Sequence, residues 1–166
     1  MLNLEAEKLI YTAGALIEEH QPGEAASLLQ DCILRFPEAG KAHALLGHIY
    51  AKYFHEPFTA EEYFKKAMML APDFTGTYVH YAEALLAQER FTEMTAMLNK
   101  SLETTAAAKN TIYYLFGMMN EMQSKYEEAV EDYQRAILYC LDNNLITTYQ
   151  QCINRCMSKQ KMYSAV

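Results

Sequence analysis

Apolar side chains recur along this chain three and four residues apart, with polar and charged residues between them. This spacing is typical of amphipathic α-helices. The first stripe consists of Leu9, Thr12, Ala13 and Leu16, and the second runs from Ala25 to Phe36-Pro37, where proline stops the helix. Continued along the chain, the pattern predicts two helices within 6–38 and further helices at about 40–54, 59–71, 75–89, 91–103, 110–123, 126–140 and 145–162.

Polar residues and breakers predict how these helices begin and end. Thr59, followed three residues later by Glu62, predicts a capping box at the start of the helix near 59–71. Short turns are expected at Pro22-Gly23, at Glu89-Arg90, at Ser124-Lys125 and at 142–144. Each turn is brief, so consecutive helices are expected to pack as pairs.

The helical pattern also repeats every 34 to 35 residues. A small residue recurs at Gly47, Ala82 and Gly117, and a bulky residue recurs later in each repeat at Phe64, Leu98 and Tyr133. A period of this size indicates a solenoid of stacked helix pairs. The small residues are expected where two helices of a pair approach closely, because a larger side chain would push their axes beyond roughly 8–10 Å.

Composition narrows the function classes. With 166 residues, 51% of them apolar, the chain is expected to form one folded domain over 1–166. Its net charge of −7 disfavours nucleic acid and anionic lipid as partners, because both attract clustered Lys and Arg. No apolar run approaches the roughly 18 residues that span a bilayer, so no membrane insertion is expected.

The beginning of the chain and its cysteines suggest a compartment. Residues 1–10 contain Glu5 and Glu7 and no long apolar core, which is unlike a secretory signal. Four cysteines in a chain of this length do not form a disulfide framework. We therefore expect a cytoplasmic protein with reduced thiols.

The repeated residues resemble the tetratricopeptide-repeat (TPR) family. The unit that matches best carries Leu46, Gly47, Tyr50, Ala60, Phe64, Ala67 and Pro72. The resemblance covers units at about 6–38, 40–73, 75–108 and 110–142, followed by a terminal helix at about 145–162. Ala106 and Leu141 stand where the family has proline, and Asn120 stands at an apolar position. The resemblance implies an all-α, right-handed α-solenoid of about four helix pairs with a C-terminal capping helix.

The family resemblance also implies a binding surface. In this family the first helix of each unit lines a concave groove that binds peptides or protein segments. The matching positions predict these peptide-binding residues: Tyr11, His48, Lys52, His80, Glu83, Tyr114 and Met118. Tyr and Met at helical spacing are more often core residues, so that alternative stays open for each of them. If both His48 and His80 face the groove, binding is expected to change between about pH 5 and 7 as they titrate.

One subgroup of the family grips the C-terminal carboxylate of chaperone peptides with Lys, Asn and Arg. The corresponding positions here carry other residues: Ile10, Gly14, Ala44, His48, Val79 and Glu83. Binding of acidic chaperone tails is therefore not expected.

Candidate metal and catalytic residues are few. Cys152 and Cys156 are four apart on one predicted helix, a spacing that two metal ligands can share. Because they continue an apolar stripe with Tyr149 and Ile153, burial explains them without a metal. The sequence contains no phosphate-binding loop, no nucleophile elbow and no paired-carboxylate motif. We expect no metal, no cofactor and no enzymatic activity.

These observations favour a non-catalytic scaffold or adaptor that binds a peptide or protein segment in the concave groove. A small TPR-type chaperone for a secreted or aggregation-prone client is an alternative. A structural homo-oligomer, such as a homodimer, is another, because thirteen Tyr and ten Met leave scope for exposed apolar patches.

Overall fold

The computed structural model describes residues 4–164, and within that range the chain forms nine α-helices and no strand. Their bounds are α1 Leu4–Glu18, α2 Pro22–Arg35, α3 Gly40–Lys52, α4 Pro57–Leu70, α5 Thr75–Ala87, α6 Phe91–Leu102, α7 Lys109–Met122, α8 Tyr126–Leu138 and α9 Asn143–Ser164. The predicted all-α class and all nine helices are confirmed, with ends that move by a few residues. None of the helices in the described range combines the length and apolar character needed to cross a bilayer.

The start of α4 differs from the sequence prediction. The helix begins at Pro57, with Glu56 as the N-cap residue, so the predicted capping box at Thr59 is wrong. Proline is favoured at the first helical position because its fixed φ suits a helix and its missing N–H needs no partner there. Thr59 lies within the first turn, and its hydroxyl donates to Glu56 Oε2 at 3.0 Å.

A left-handed residue recurs in four of the turns. His20, His55, Glu89 and Ser124 have φ between 56° and 61°, and they follow one another at intervals of 35, 34 and 35 residues. After α1 the Gln21 N–H donates to Leu16 O at 2.8 Å, and after α7 the Lys125 N–H donates to Asn120 O at 2.9 Å. These bonds close the ends of the helices as in a Schellman motif. The backbone therefore repeats with the same period as the side chains.

The helices group into two compact units that divide between Gln88 and Glu89. The first contains α1–α5 and the second contains α6–α9. The division falls inside the third predicted helix pair, between α5 and α6. The prediction of a single domain stays a prediction.

The first unit has a core of small and aliphatic side chains. Ala13, Leu29 and Leu46 have no solvent exposure and belong to one cluster shared by α1, α2 and α3. A Cβ added to Gly47 would lie 2.7 Å from the Phe64 ring, so the small residue lets α3 and α4 pack closely. The predicted role of this glycine is confirmed.

The second unit has the same close contact between a glycine and an aromatic ring. A Cβ on Gly117 would lie 2.6 Å from the ring of Tyr133, which joins α7 closely to α8. Asn120, the polar departure noted in the sequence, donates to Asp132 Oδ2 at 2.8 Å. Two polar residues thus satisfy one another between α7 and α8, where an apolar contact was expected.

The last helix, α9, packs on α7 and α8. Its apolar residues Cys152, Ile153 and Cys156 join the cluster around Tyr133. At its start, Asp142 Oδ1 accepts the N–H groups of Asn144 and Leu145 at 2.7 and 3.3 Å, which caps the helix. The predicted burial of Cys152 and Cys156 is confirmed.

Candidate functional site

Four of the seven predicted groove residues lie together in the first unit. His48 and Lys52 are one turn apart on α3, and His80 and Glu83 are one turn apart on α5. Because α3 and α5 pack against each other, the two pairs meet. They line a depression of about 380 Å³, which we call the α3–α5 groove; its lining residues are His48, Ala51, Lys52, His55, His80, Glu83, Ala84 and Ala87.

Two imidazoles and one carboxylate form the centre of this groove. His80 Nδ1 lies 3.3 Å from Glu83 Oε2, and His48 Nδ1 lies 3.9 Å from the same oxygen. The two imidazole ring centroids are 4.2 Å apart. His48 is buried, whereas the Glu83 side chain is 42% exposed. A solvent-accessible carboxylate therefore faces two histidines that contact each other.

The surroundings set the charge states of these groups. Burial, together with the neighbouring His80, lowers the pKa of His48 to about 4. Burial alone would raise the pKa of Glu83, but its contact with His80 holds that pKa below the ordinary value. At neutral pH, His48 is consequently a neutral imidazole beside a carboxylate. The expectation that both histidines titrate between pH 5 and 7 is wrong for His48.

Lys52 stands at the edge of the groove. Its side chain is exposed, and its Nζ lies 5.6 Å from the centroid of the Tyr53 ring. That distance is within the range of cation–π contacts. The ammonium group is therefore held near an aromatic face and stays accessible from the solvent.

The other three predicted residues lie elsewhere. Tyr11 is 82% exposed on α1 and does not line the α3–α5 groove. Tyr114 and Met118 lie on α7 in the second unit, where they pack partly buried against the cluster that includes Cys152. The Tyr114 ring centroid is 5.1 Å from that of Tyr149 on α9. These two residues thus contact the last helix of the chain.

Tyr114 and Met118 border a second depression, of about 340 Å³, which we call the α7–α9 cleft. Glu121 is its most strongly bonded residue. Arg155 donates to both Glu121 oxygens at 2.7 and 2.6 Å, Lys159 donates at 2.8 Å, and the Tyr133 hydroxyl donates at 3.0 Å. With the Arg155 bonds as the largest cause, these contacts lower the pKa of Glu121 to about 2.

The apolar pattern and the family resemblance do not predict this network. Arg155 follows Glu121 by 34 residues, which is one repeat period, and Lys159 follows Arg155 by one helical turn. That spacing places α9 where the first helix of a further pair would be. A search for opposite charges one period apart would have found the contact.

The three central groove residues also have the chemistry of metal ligands. Each of the three residues, His48, His80 and Glu83, offers one ligand atom, and these three atoms lie within 4.8 Å of one another. Imidazole nitrogen and carboxylate oxygen are common ligands of zinc. This cluster is unlike the cysteine pair that the sequence drew attention to, because Cys152 and Cys156 are enclosed in the core.

Comparison with solved structures identifies the fold. No protein-family model and no curated protein matches the sequence. Among solved structures, TTC0263, a thermophilic TPR protein of Thermus thermophilus, superposes with a TM-score of 0.77 over 89% of this chain and 81% of its own, at 14% sequence identity. The chain has the tetratricopeptide-repeat fold.

Two further structures show the same fold. PilF of Pseudomonas aeruginosa matches with a TM-score of 0.82, 18% identity, and coverage of 96% of this chain and 70% of its own. PilW, described as a widely conserved type IV pilus biogenesis factor, matches with a TM-score of 0.76, 17% identity, and coverage of 99% and 80%. At these identities the likeness establishes the TPR fold.

Proposed function

We propose that this TPR-fold chain is a non-catalytic scaffold that binds a segment of another protein in the α3–α5 groove. The observation that carries the proposal is the meeting of His48, Lys52, His80 and Glu83 around one depression. These residues come from two helices that the fold holds together, so their spacing is fixed before a partner arrives. The proposal keeps the cytoplasmic setting expected from the sequence.

The groove favours a polar segment of mixed charge. Lys52 offers an ammonium group to a carboxylate of the partner, and Glu83 offers a carboxylate to a cation or a backbone N–H. Ala51, Ala84 and Ala87 supply short apolar walls that let a peptide backbone approach. A strongly acidic or strongly basic segment would leave one of the two charged groups facing a like charge.

Site-specific photo-crosslinking tests the proposal. A photo-crosslinking amino acid replaces Ala51 in the groove, and a matched variant carries it at Lys65, which is exposed on α4. After irradiation in lysate, the adducts are identified by mass spectrometry. The crosslinked segment is then synthesised, and its affinity is measured for the wild type and for Lys52→Ala and His80→Ala.

The expected result is one protein captured from position 51 and not from position 65. Its synthetic segment should bind the wild type and lose affinity in both single variants. Equal capture from both positions, or unchanged affinity in both variants, would contradict binding in the α3–α5 groove. Tyr11, Tyr114 and Met118 stay predicted contact residues, and crosslinkers at those positions test them in the same way.

A homo-oligomer remains the second candidate because several large apolar side chains are exposed. In the first unit Leu34, Phe58 and Met69 are each 80–85% exposed, and in the second Leu141 is fully exposed. Large exposed apolar residues are frequent at interfaces. Light scattering over a range of concentrations tests this candidate, and a constant dimer mass would favour it.

The chaperone alternative predicts instead that an unfolded client co-purifies with the chain.

A further inference from the structure

We propose that His48, His80 and Glu83 form a binding site for a divalent transition-metal ion, and that Zn²⁺ is the ion it suits best. The proposal rests on the approach of two imidazoles and a carboxylate from two packed helices. It holds whether or not the groove also binds a protein segment.

The distances are close to those a metal requires. Zinc bonds to His and Glu are about 2.0–2.2 Å, so a tetrahedral site separates neighbouring ligand atoms by about 3.3 Å. The His80 Nδ1–Glu83 Oε2 distance is 3.3 Å, and the His48 Nδ1–Glu83 Oε2 distance is 3.9 Å. Small side-chain rotations therefore bring all three ligand atoms within bonding distance of one ion.

The ligand set identifies the class of metal. Two histidines and one glutamate form a ligand set that proteins use for zinc with an open coordination position. Calcium and magnesium prefer oxygen ligands, so two imidazoles disfavour them.

The fold supplies the positioning that a loose surface cluster lacks. His80 and Glu83 are three residues apart on α5, so their side chains share one face of that helix. His48 is fixed by burial on α3, and its ring makes an edge contact with Tyr53 at a centroid distance of 6.1 Å. The site thus takes two ligands from one helix and the third from the helix packed against it.

The positive charge of Lys52 would repel a metal ion bound at this site, but the Lys52 side chain can move away from the ligands. A cation beside the site weakens metal binding by electrostatic repulsion. The Lys52 side chain is exposed and contacts the Tyr53 ring, so it has room to turn away from the ligands. We therefore expect Lys52→Met to bind the metal more tightly than the wild type.

Calorimetry with zinc chloride, on protein free of any histidine tag and in a buffer that does not chelate metals, tests the site. The informative variants are His80→Gln and Glu83→Gln, because these side chains are partly exposed and their loss leaves the core intact. His48→Gln serves as a further variant, with circular dichroism to verify its fold. His20→Asn is the matched control, because it removes an exposed histidine in the left-handed region that Asn tolerates.

We expect one zinc ion per chain in the wild type and in His20→Asn. Loss of His80 or Glu83 should weaken binding by roughly tenfold or more, since even indirect partners of metal ligands contribute 10–100-fold. Cobalt(II) bound to the wild type should show visible d–d absorption and no thiolate charge-transfer band. Binding that is unchanged in His80→Gln and Glu83→Gln, a thiolate band, or no binding by the wild type would each overturn the proposal.

Discussion

At the scale of single residues, packing in the second unit depends on the missing side chain of Gly117. The Tyr133 ring is fully buried, and its hydroxyl is fixed by Glu121, so the ring has little freedom to move aside. A Cβ at position 117 would lie 2.6 Å from two ring atoms, well inside contact distance. Space, and not backbone conformation, explains this glycine, because the helix here has ordinary φ values.

The matched substitutions Gly117→Ala and Gly14→Ala should have opposite effects. Gly117→Ala overpacks the α7–α8 contact and should lower the free energy of unfolding by about 1–3 kcal/mol. No neighbouring atom lies within 4 Å of a Cβ added at Gly14 in α1, so Gly14→Ala should raise it by about 0.5–1 kcal/mol through helix propensity. Urea unfolding of both variants measures the difference, and effects of equal sign would contradict this account.

At the scale of elements, the attachment of α9 to α7 depends on Glu121. Its side chain is only 8% exposed, and it accepts hydrogen bonds from Arg155, Lys159 and Tyr133. In Glu121→Gln the amide keeps one acceptor oxygen, but the charge is lost and the NH₂ group cannot accept a hydrogen bond from Arg155, Lys159 or Tyr133. Glu121→Gln should therefore lower the free energy of unfolding at pH 7 by about 1–3 kcal/mol.

The same carboxylate should make the protein sensitive to acid. The pKa of Glu121 is about 2 in the folded chain and near 4.5 when unfolded. Between these values the unfolded state binds more protons, so the contribution of Glu121 is complete above about pH 4.5 and is lost as the pH falls toward 2. The melting temperature of the wild type should fall in this window by more than that of Glu121→Gln.

Glu131→Gln is the control for both effects. Its side chain is 68% exposed, and its nearest approach to Arg135 is 3.9 Å. Exposed ion pairs of this kind contribute about 0.5 kcal/mol or less. If Glu131→Gln changed the melting temperature as much as Glu121→Gln, general surface charge and not the α7–α9 contact would be responsible.

At the scale of the whole molecule, the chain is organised as two units, α1–α5 and α6–α9. In a solenoid, stability is approximately a sum of local units and the contacts between neighbours. The two units have separate buried clusters, with Leu29 and Leu46 in one and Tyr133 and Cys156 in the other. We therefore expect the two units to differ in their free energy of unfolding.

Hydrogen exchange followed by mass spectrometry at increasing urea should show this difference. We expect peptides from α1–α4 and peptides from α7–α9 to lose protection at different urea concentrations. Glu121→Gln should shift only the second group to lower urea. A coincident loss of protection in all peptides, with both groups shifted by the substitution, would show that the chain unfolds as one cooperative body.

The sequence by itself determined the helices and their period, because both follow from local rules. Apolar spacing gives the helices, and recurrent small and bulky residues such as Gly47 and Phe64 give the close pairs. The capping box predicted at Thr59 was wrong, because the helix begins at Pro57, a residue that is favoured at the first helical position. The sequence also predicted a turn at Glu89-Arg90, but no local feature marked that turn as the place where the two units divide.

Tertiary structure alone decided which side chains meet across helices. The sequence placed His48 and His80 in one groove through family resemblance, but only the packing of α3 on α5 put both rings beside Glu83 and lowered the pKa of His48. Likewise, Tyr114 contacts α9 on the same side of α7 where Glu121 finds its partners. Such contacts depend on the distance between elements far apart in sequence, which the spacing of residues along one helix does not contain.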